Sequence, residues 1–419
     1  MINAIGMVVL VLLLGIFTGL YVRGSFRPKP EFDIAIVPNT NDITFFLAVA
    51  GLTTSLTTQA EVTGFFVEAP EIYPARIAAI RRAQRTLHFE TFFMTPGKRA
   101  DEFASAICDR AQAGVKVRLI IDNHGAHTMP KEYWRSLRSA GVELGFFRDF
   151  DWRAPFDYNA RTHRKLLLID GEEALLGGAG VSDSWDGERN VPWCDFEVGY
   201  RGPIVTLLEG VFMENWASVG GALDLGSDVF RTHPPEGRAA FVTKGTFSLE
   251  NSPLRLLFHT SMAAARQRLW LASPYLVPDP STQEVLIQAC QRGVDVRILT
   301  MGKRNDKSYV YYSARELYGR LLKAGVKIFE YQPSMMHAKL LLVDDRWVSH
   351  GSTNVDERSF FINDELNVSV SDPDLAMQME KFLITSFENS VLVTIDRWRK
   401  RSIVQRIRGR IGLLFRRLF

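Results

Sequence analysis

The chain has 419 residues, 46% of them hydrophobic and 23% charged, with a formal net charge of +3. That length and apolar content fit two ordinary domains with substantial cores. Three scattered cysteines, Cys108, Cys194 and Cys290, exclude a disulfide framework or a zinc knuckle and fit a reducing compartment.

The first predicted element is an apolar helix over residues 1–22. No positive side chain precedes it, and Arg23, Arg27 and Lys29 follow it. About 20 such residues cross a hydrocarbon core, and the flanks are the reverse of a cleaved signal's. Residues 1–24 are therefore expected to be an uncleaved, single-pass transmembrane anchor in the cell inner (cytoplasmic) membrane. The positive-inside rule puts the bulk of the chain in the cytoplasm. Residues 25–60 read as a linker. Its apolar stretch 45–52 is too short to span and is either buried or membrane-dipping.

Residues 61–225 form the first domain. Strands are expected at 86–90, 115–121 and 142–147, with helices at 101–112 and 131–139 stopped by Gly114 and Gly141. Gly, Pro and charged residues collect in 226–244, which reads as a linker. The same order returns in the second domain, 245–392. Its strands are at 268–272, 294–299 and 326–329, its helices at 281–291 and 314–322. Such a repeat predicts an α/β fold with helices covering a mixed sheet in each half. Residues 393–419 close the chain. After Asp396 the acidic residues stop, and arginines alternate with Trp398, Ile403, Ile407, Leu414 and other apolar residues. This is the pattern of a basic amphipathic helix on anionic lipid.

Each half carries the pattern H-x-K-x-x-x-x-D: His163, Lys165 and Asp170, then His337, Lys339 and Asp344. Residues two apart share a face of a strand, so each motif is read as a strand presenting His and Lys side by side. Two matched half-sites imply one active site suited to a phosphodiester. A neutral imidazole attacks phosphorus and forms a phosphohistidine. The other, protonated, serves the leaving alcohol and then the incoming one. The lysines neutralise the non-bridging oxygens. No metal or cofactor is required. Asp170 and Asp344 complete the catalytic motif but lie too far along to touch the reacting atom, so they are expected to hold the strand end by accepting hydrogen bonds. Asp195 is expected to orient His163 and Glu365 to orient His337, with Glu197 as a competitor. The turn Gly351-Ser352-Thr353-Asn354 offers Ser352 and Asn354 as phosphate donors. Its counterpart, Gly177-Gly178-Ala179-Gly180, has no side-chain donors. Arg358 has two readings, a phosphate contact or an ion pair with Asp356 or Glu365. Phe92, Phe93, Trp185, Trp193, Phe360 and Phe361 line an apolar entrance or fill the core.

These residues resemble the phospholipase D superfamily, and within it the bacterial cardiolipin synthases. The resemblance covers residues 61–390. It rests on both motifs and on the strings SPYLVPD from Ser273, FEYQPSMMHAK from Phe329 and GSTNVDERSFFINDE from Gly351. It implies two pseudo-symmetric phospholipase D-like domains with the active site between them, His163 as nucleophile and His337 as general acid and base. The implied reaction is phosphatidyl transfer between two phosphatidylglycerol molecules, releasing glycerol. The implied partners are phosphatidylglycerol and anionic membrane lipid. Nucleic acid is not expected, since it calls for a broad basic track. The alternatives are a phospholipase D hydrolysing phosphatidyl lipids and, behind it, a metal-independent nuclease. Gly180 departs from the family pattern, which has asparagine there.

Overall fold

The computed structural model describes residues 4–22, 32, 34, 36–148, 152, 157–187, 191–248 and 252–416. Two helices come first, α1 (Ala4–Val22) and α2 (Ile43–Leu52). The first half then runs β1 (Leu56–Val67), α3 (Glu68–Arg82), β2 (Thr86–Thr91), α4 (Lys98–Gln112), β3 (Lys116–Asp122), α5 (Lys131–Ser139) and β4 (Glu143–Phe147). It ends with β5 (Leu166–Ile169), β6 (Glu173–Gly177), β7 (Phe196–Arg201) and α6 (Pro203–Ser218). The second half repeats the order: β8 (Arg238–Gly245), α7 (Pro253–Ala264), β9 (Arg268–Ala272), α8 (Pro280–Gln291), β10 (Asp295–Thr300), α9 (Ser308–Lys323) and β11 (Lys327–Tyr331). Then come β12 (Leu340–Val343), β13 (Trp347–Gly351), α10 (Glu357–Phe361), β14 (Glu365–Ser371) and α11 (Pro373–Glu388), with β15 (Ser390–Leu392), α12 (Ile395–Arg399) and α13 (Ile403–Leu414) at the end.

The strands join into one sheet, in the order β15-β11-β10-β9-β12-β13-β14-β8-β1-β7-β6-β5-β2-β3-β4. From the middle outward the halves mirror each other, since β8 and β1 form the central antiparallel pair. The motif strands β5 and β12 read LLLI and LLLV and are buried throughout, as strands covered on both faces must be. Among the described residues three apolar clusters each belong to one half. A fourth is shared, drawing Leu168, Val198 and Phe212 from the first half and Leu340, Val368 and Leu383 from the second. The halves are therefore fused through sheet and core.

Two expectations change and two gain detail. The linker 226–244 lacks helix and strand only in its first part, because Arg238–Gly245 is the strand β8; residues 238–242 pair with β1 and residues 240–245 with β14. The motif histidines and lysines lie just before β5 and β12, in extended entry segments outside the ladders. The stretch 45–52 is part of α2, which buries Phe45 and Phe46 against Trp347 and Phe241. Its opposite face, with Ile43, Leu47 and Leu52, is exposed. The tail is docked on α9. Gly409 and Gly412 bring α13 so close that an added Cβ would lie 2.5 Å from the Tyr312 carbonyl and 2.1 Å from Ser313 Oγ. Ile403, Val404, Ile407, Ile411 and Leu414 are left exposed.

The apolar N-terminal segment is the helix α1, with Leu10, Leu14 and Phe17 exposed. Residues 1–3 and 23–24 of the expected anchor lie outside the described residues. Among the described residues no helix is long and apolar enough to cross a membrane.

Candidate active site

The two motifs meet where the halves face each other, through two short backbone bridges. In one, Thr162 pairs with Asp364, with His163 N donating to the Asp364 carbonyl at 2.8 Å. In the other, Cys194 pairs with Met336, and His337 N donates to the Cys194 carbonyl at 2.8 Å. Each motif thus enters its own strand while held to the other half, beside the carboxylate at the start of that half's β7 or β14.

That geometry reverses the expected partnerships. His163 Nδ1 lies 3.0 Å from both carboxylate oxygens of Glu365, and His337 Nδ1 lies 2.8 Å from Asp195 Oδ2. The pairs are crossed between halves, because the bridges set the neighbours and sequence proximity does not. Glu197 orients neither histidine. It forms a buried ion pair with Arg76, which also donates to the carbonyls of Ala179 and Gly180.

Ser352 Oγ donates to Glu365 Oε2 and so supports the carboxylate beside His163. Asn354 is buried, and its Oδ1 has no hydrogen-bond partner among the described residues. Asp170 accepts from the backbone N–H of Gln84, Arg85 and Thr86. Asp344 does the same for Arg266, Gln267 and Arg268. Both aspartates adopt left-handed backbone, φ +56° and +53°, which Asp tolerates better than most residues. They tie the ends of β5 and β12 to the starts of β2 and β9 and stay clear of the reacting centre. Arg358 pairs with neither Asp356 nor Glu365. It donates to the Asn159 carbonyl at 2.6 Å and Oδ1 at 3.1 Å.

Aromatic rings wall the histidines. Phe92 stands edge-on to His163, 5.4 Å between centroids, and Trp185 likewise to His337 at 5.2 Å. Trp193 is 5.9 Å from His337. Phe360 and Phe361 belong instead to the second-half core. His88 is buried on Glu209 and His350 on Tyr200, away from the motifs.

Each lysine curls onto its own motif, with Lys165 Nζ 2.5 Å from the His163 carbonyl and Lys339 Nζ 2.6 Å from the His337 carbonyl. Four basic groups share one buried cleft, and each is pushed toward its neutral form. Burial, then the charges of Lys165 and Lys339, hold His163 well below the usual imidazole range. Burial and Lys339 lower His337 to about 4, with Asp195 opposing. Burial lowers Lys339 to about 8 and, with Lys339's charge, drives Lys165 well down. Of the two carboxylates, burial lifts Glu365 to about 7. Burial also acts to raise Asp195, but His337 and Lys339 outweigh it and Asp195 ends below the usual range. A cleft of crowded, desolvated cations is relieved by an anion. Among the described residues no cluster of His, Cys, Asp and Glu is placed to hold a metal ion.

Sequence reasoning missed Arg76, the indole of Trp185, which donates to Asp195 Oδ2 at 2.9 Å, and the crossing itself. An aromatic residue in a loop carries no mark of its donor role, and a contact between halves leaves no spacing to read.

Comparisons with known proteins give the family. A family model described as cardiolipin synthase, PLD-like domain, matches residues 77–190 and 259–385. The chain is 34% identical over 328 residues to cardiolipin synthase A of Pseudomonas syringae pv. syringae (strain B728a), covering 77% of this chain and 67% of that one. It is 31% identical over 345 residues to cardiolipin synthase 2 of Bacillus anthracis, covering 80% and 66%. It therefore spans about two thirds of the length of these relatives. Among solved structures, the phosphatidylserine synthase of Haemophilus influenzae Rd KW20 superposes with a TM-score of 0.70 at 12% identity, over 89% of this chain and 99% of that one, a likeness of fold. The chain belongs to the cardiolipin synthase, PLD-like domain family.

Proposed function

We propose that the chain is a phosphatidyltransferase that makes cardiolipin from two molecules of phosphatidylglycerol. The observation that carries this reading is the crossed arrangement: two histidines, each with Nδ1 on a buried carboxylate of the other half, and each with a lysine beside it. With Nδ1 engaged, Nε2 of His163 is left for phosphorus, while Nε2 of His337 lies 3.0 Å from Lys339 Nζ. In the first step Nε2 of His163 forms a P–N bond as the P–O bond to the departing glycerol breaks, and the proton of a His337 imidazolium goes to the glycerol oxygen. In the second, a headgroup hydroxyl of the acceptor lipid forms the new P–O bond as P–N breaks, and its proton goes to His337. The lysines meet the non-bridging oxygens.

The division of roles follows from the carboxylates. An ionised Asp195 stabilises an imidazolium on His337 as the anionic substrate arrives. Glu365, lifted to about 7, supports a charged His163 less well and leaves that ring a neutral nucleophile. Aromatic walls beside both histidines favour exclusion of water from the P–N intermediate.

The membrane reading rests on two apolar surfaces. The apolar sequence of residues 1–22, of which the helix α1 is only the described part, has the roughly 20 residues that cross a hydrocarbon core of about 30 Å. We assign it as the anchor, with the catalytic halves on the cytoplasmic side. The exposed apolar stripe of α13, flanked by Arg406, Arg408 and Arg410, fits a surface of anionic lipid; Arg416 is 2.8 Å from Glu357 of α10.

The test is a product assay. Purified protein in mixed micelles receives labelled phosphatidylglycerol without added metal. Cardiolipin and free glycerol, absent with His163→Ala, are the expected products. Phosphatidic acid alone would make water the acceptor and the enzyme a phospholipase.

A further inference from the structure

A transferase that joins two phosphatidylglycerols faces a problem a hydrolase does not. The acceptor brings a second phosphodiester, which must be held near the reacting centre without entering it. The lysine pair already serves the donor phosphate, so the acceptor's charge needs cations of its own.

Such cations sit in one corner beside His163. Arg161 lies two residues before His163 on the same extended segment, so the two share a side. It is only 4% exposed, and its Nη2 is buried with no partner among the described residues. Its guanidinium is stacked over the Tyr158 ring at 3.9 Å and lies 3.6 Å from Asp122. From the other half, Arg358 reaches across to grip Asn159, two residues before Arg161. Lys307, just before α9, is half-buried, with Nζ over the Tyr275 ring at 4.9 Å. Its charge is felt by His163, by Arg358's neighbour Asp356 and by His124, and His124 also feels Arg161 and Arg358.

The facing carboxylates offset these charges only in part, since each is also engaged by other donors. Asp122 is taken up by the backbone N–H of His124, Gly125 and Thr162, and burial lifts it to about 6. Asp356 caps α10 through the Ser359 N–H, and burial lifts it to about 7. Asp306 holds the Tyr275 hydroxyl at 2.5 Å. A guanidinium with a buried unpartnered N–H, joined by two more cations, is a site awaiting an anion.

We propose that Arg161, Arg358 and Lys307 form a second phosphate subsite, which holds the phosphodiester of the acceptor phosphatidylglycerol while its headgroup hydroxyl reaches the phosphohistidine. This rests on the transferase reading above and adds to it a site for the acceptor.

The test compares two reactions of the full chain in mixed micelles containing phosphatidylglycerol. One is cardiolipin formation. The other is exchange of labelled free glycerol into phosphatidylglycerol, which uses the same donor and the same histidines but an uncharged acceptor. Lys307→Gln and Arg358→Gln are expected to lower cardiolipin formation at subsaturating lipid more than tenfold, chiefly through KM, while lowering exchange less than threefold. Lys307→Arg is expected to recover most of the loss. Equal losses in both reactions, or no loss in either, would overturn the subsite. Exchange without cardiolipin in the unsubstituted protein is a different result, which would sink the transferase reading and remove the acceptor with it.

Discussion

The two half-sites share a backbone and differ in how they hold their carboxylates. By ladder register, Gly177 faces Glu197 and Gly351 faces Asn367, so Asp195 and Glu365 occupy matching places two residues earlier. In the second half Ser352 donates to Glu365. In the first, the matching residue is Gly178, where an added Cβ would lie 2.4 Å from Asp195 Oδ1. Asp195 fills that space and takes its donor from Trp185 instead. A duplicated scaffold has thus produced one carboxylate below its usual range and one lifted to about 7. The difference teaches that equivalent positions need not carry equivalent chemistry, and it gives each histidine a different task.

The largest effect breaks the comparison at its centre. His163→Ala and His337→Ala are each expected to lower turnover by at least about 10³-fold, and the double variant by little more, because residues that act as a unit are not additive. The two singles should differ in one respect. His337→Ala, given a lipid with an activated leaving group, should still accumulate a covalent phosphatidyl adduct on the His163 peptide, read by mass after quench in alkaline denaturant, which preserves the acid-labile P–N bond. An adduct on His337 in the His163→Ala protein would invert the assignment.

Next come the carboxylates. Asp195→Asn removes a group that is ionised throughout the neutral range and should cost about 10³-fold in kcat, within the range that general acid–base catalysis contributes. Glu365→Gln removes one that is nearer neutrality, and about 10²-fold is expected. If each variant shifted the pH profile of the histidine in its own half, the crossed pairing would be refuted. Ser352→Ala, which frees Glu365 without unseating it, should cost about tenfold.

Gly180→Asn sharpens the contrast from the other side. It installs the family's usual residue, yet an added Cβ would meet the Phe93 carbonyl at 2.5 Å, and that carbonyl accepts from Val181 N. Overpacking of this kind costs about 1–3 kcal/mol. A lower thermal midpoint with no gain in turnover is expected; an unchanged midpoint with faster turnover would mean that the turn yields.

Much of this was legible in the sequence because it is local. Strand 268–272 and helix 131–139 fall where propensity and glycine stops place them, and the repeated motif announces a shared site. What was not legible is what depends on one half touching the other. The pairing of Asp195 and Glu365 turns on bridges between residues far apart in the chain. Strand β8 hides in a stretch whose Pro and Gly residues end just before Arg238. The basic tail reads as amphipathic either way, but only its two glycines against α9 decide which face turns outward.

The smallest effect concerns stability and separates the two carboxylates without any substrate. Glu365 ionises near 4.5 in the unfolded chain and near 7 when folded. A raised folded value means that its contribution is fully present below about pH 4.5 and is lost as pH rises through about 7. Glu365→Gln has no such proton to lose, so wild type should fall relative to the variant by about 1–3 kcal/mol across that window. Asp195 has the opposite sign. Its folded value lies below 3.8, so its contribution is present above about pH 4 and is lost only as pH falls further. Asp195→Asn should therefore run parallel to wild type between pH 4.5 and 7. Denaturant midpoints of the full chain in detergent, read at half-unit steps of pH, decide the matter. If the two variants bent the wild-type difference alike, the half-sites would be electrostatically equivalent and the division of labour between His163 and His337 would lose its physical basis.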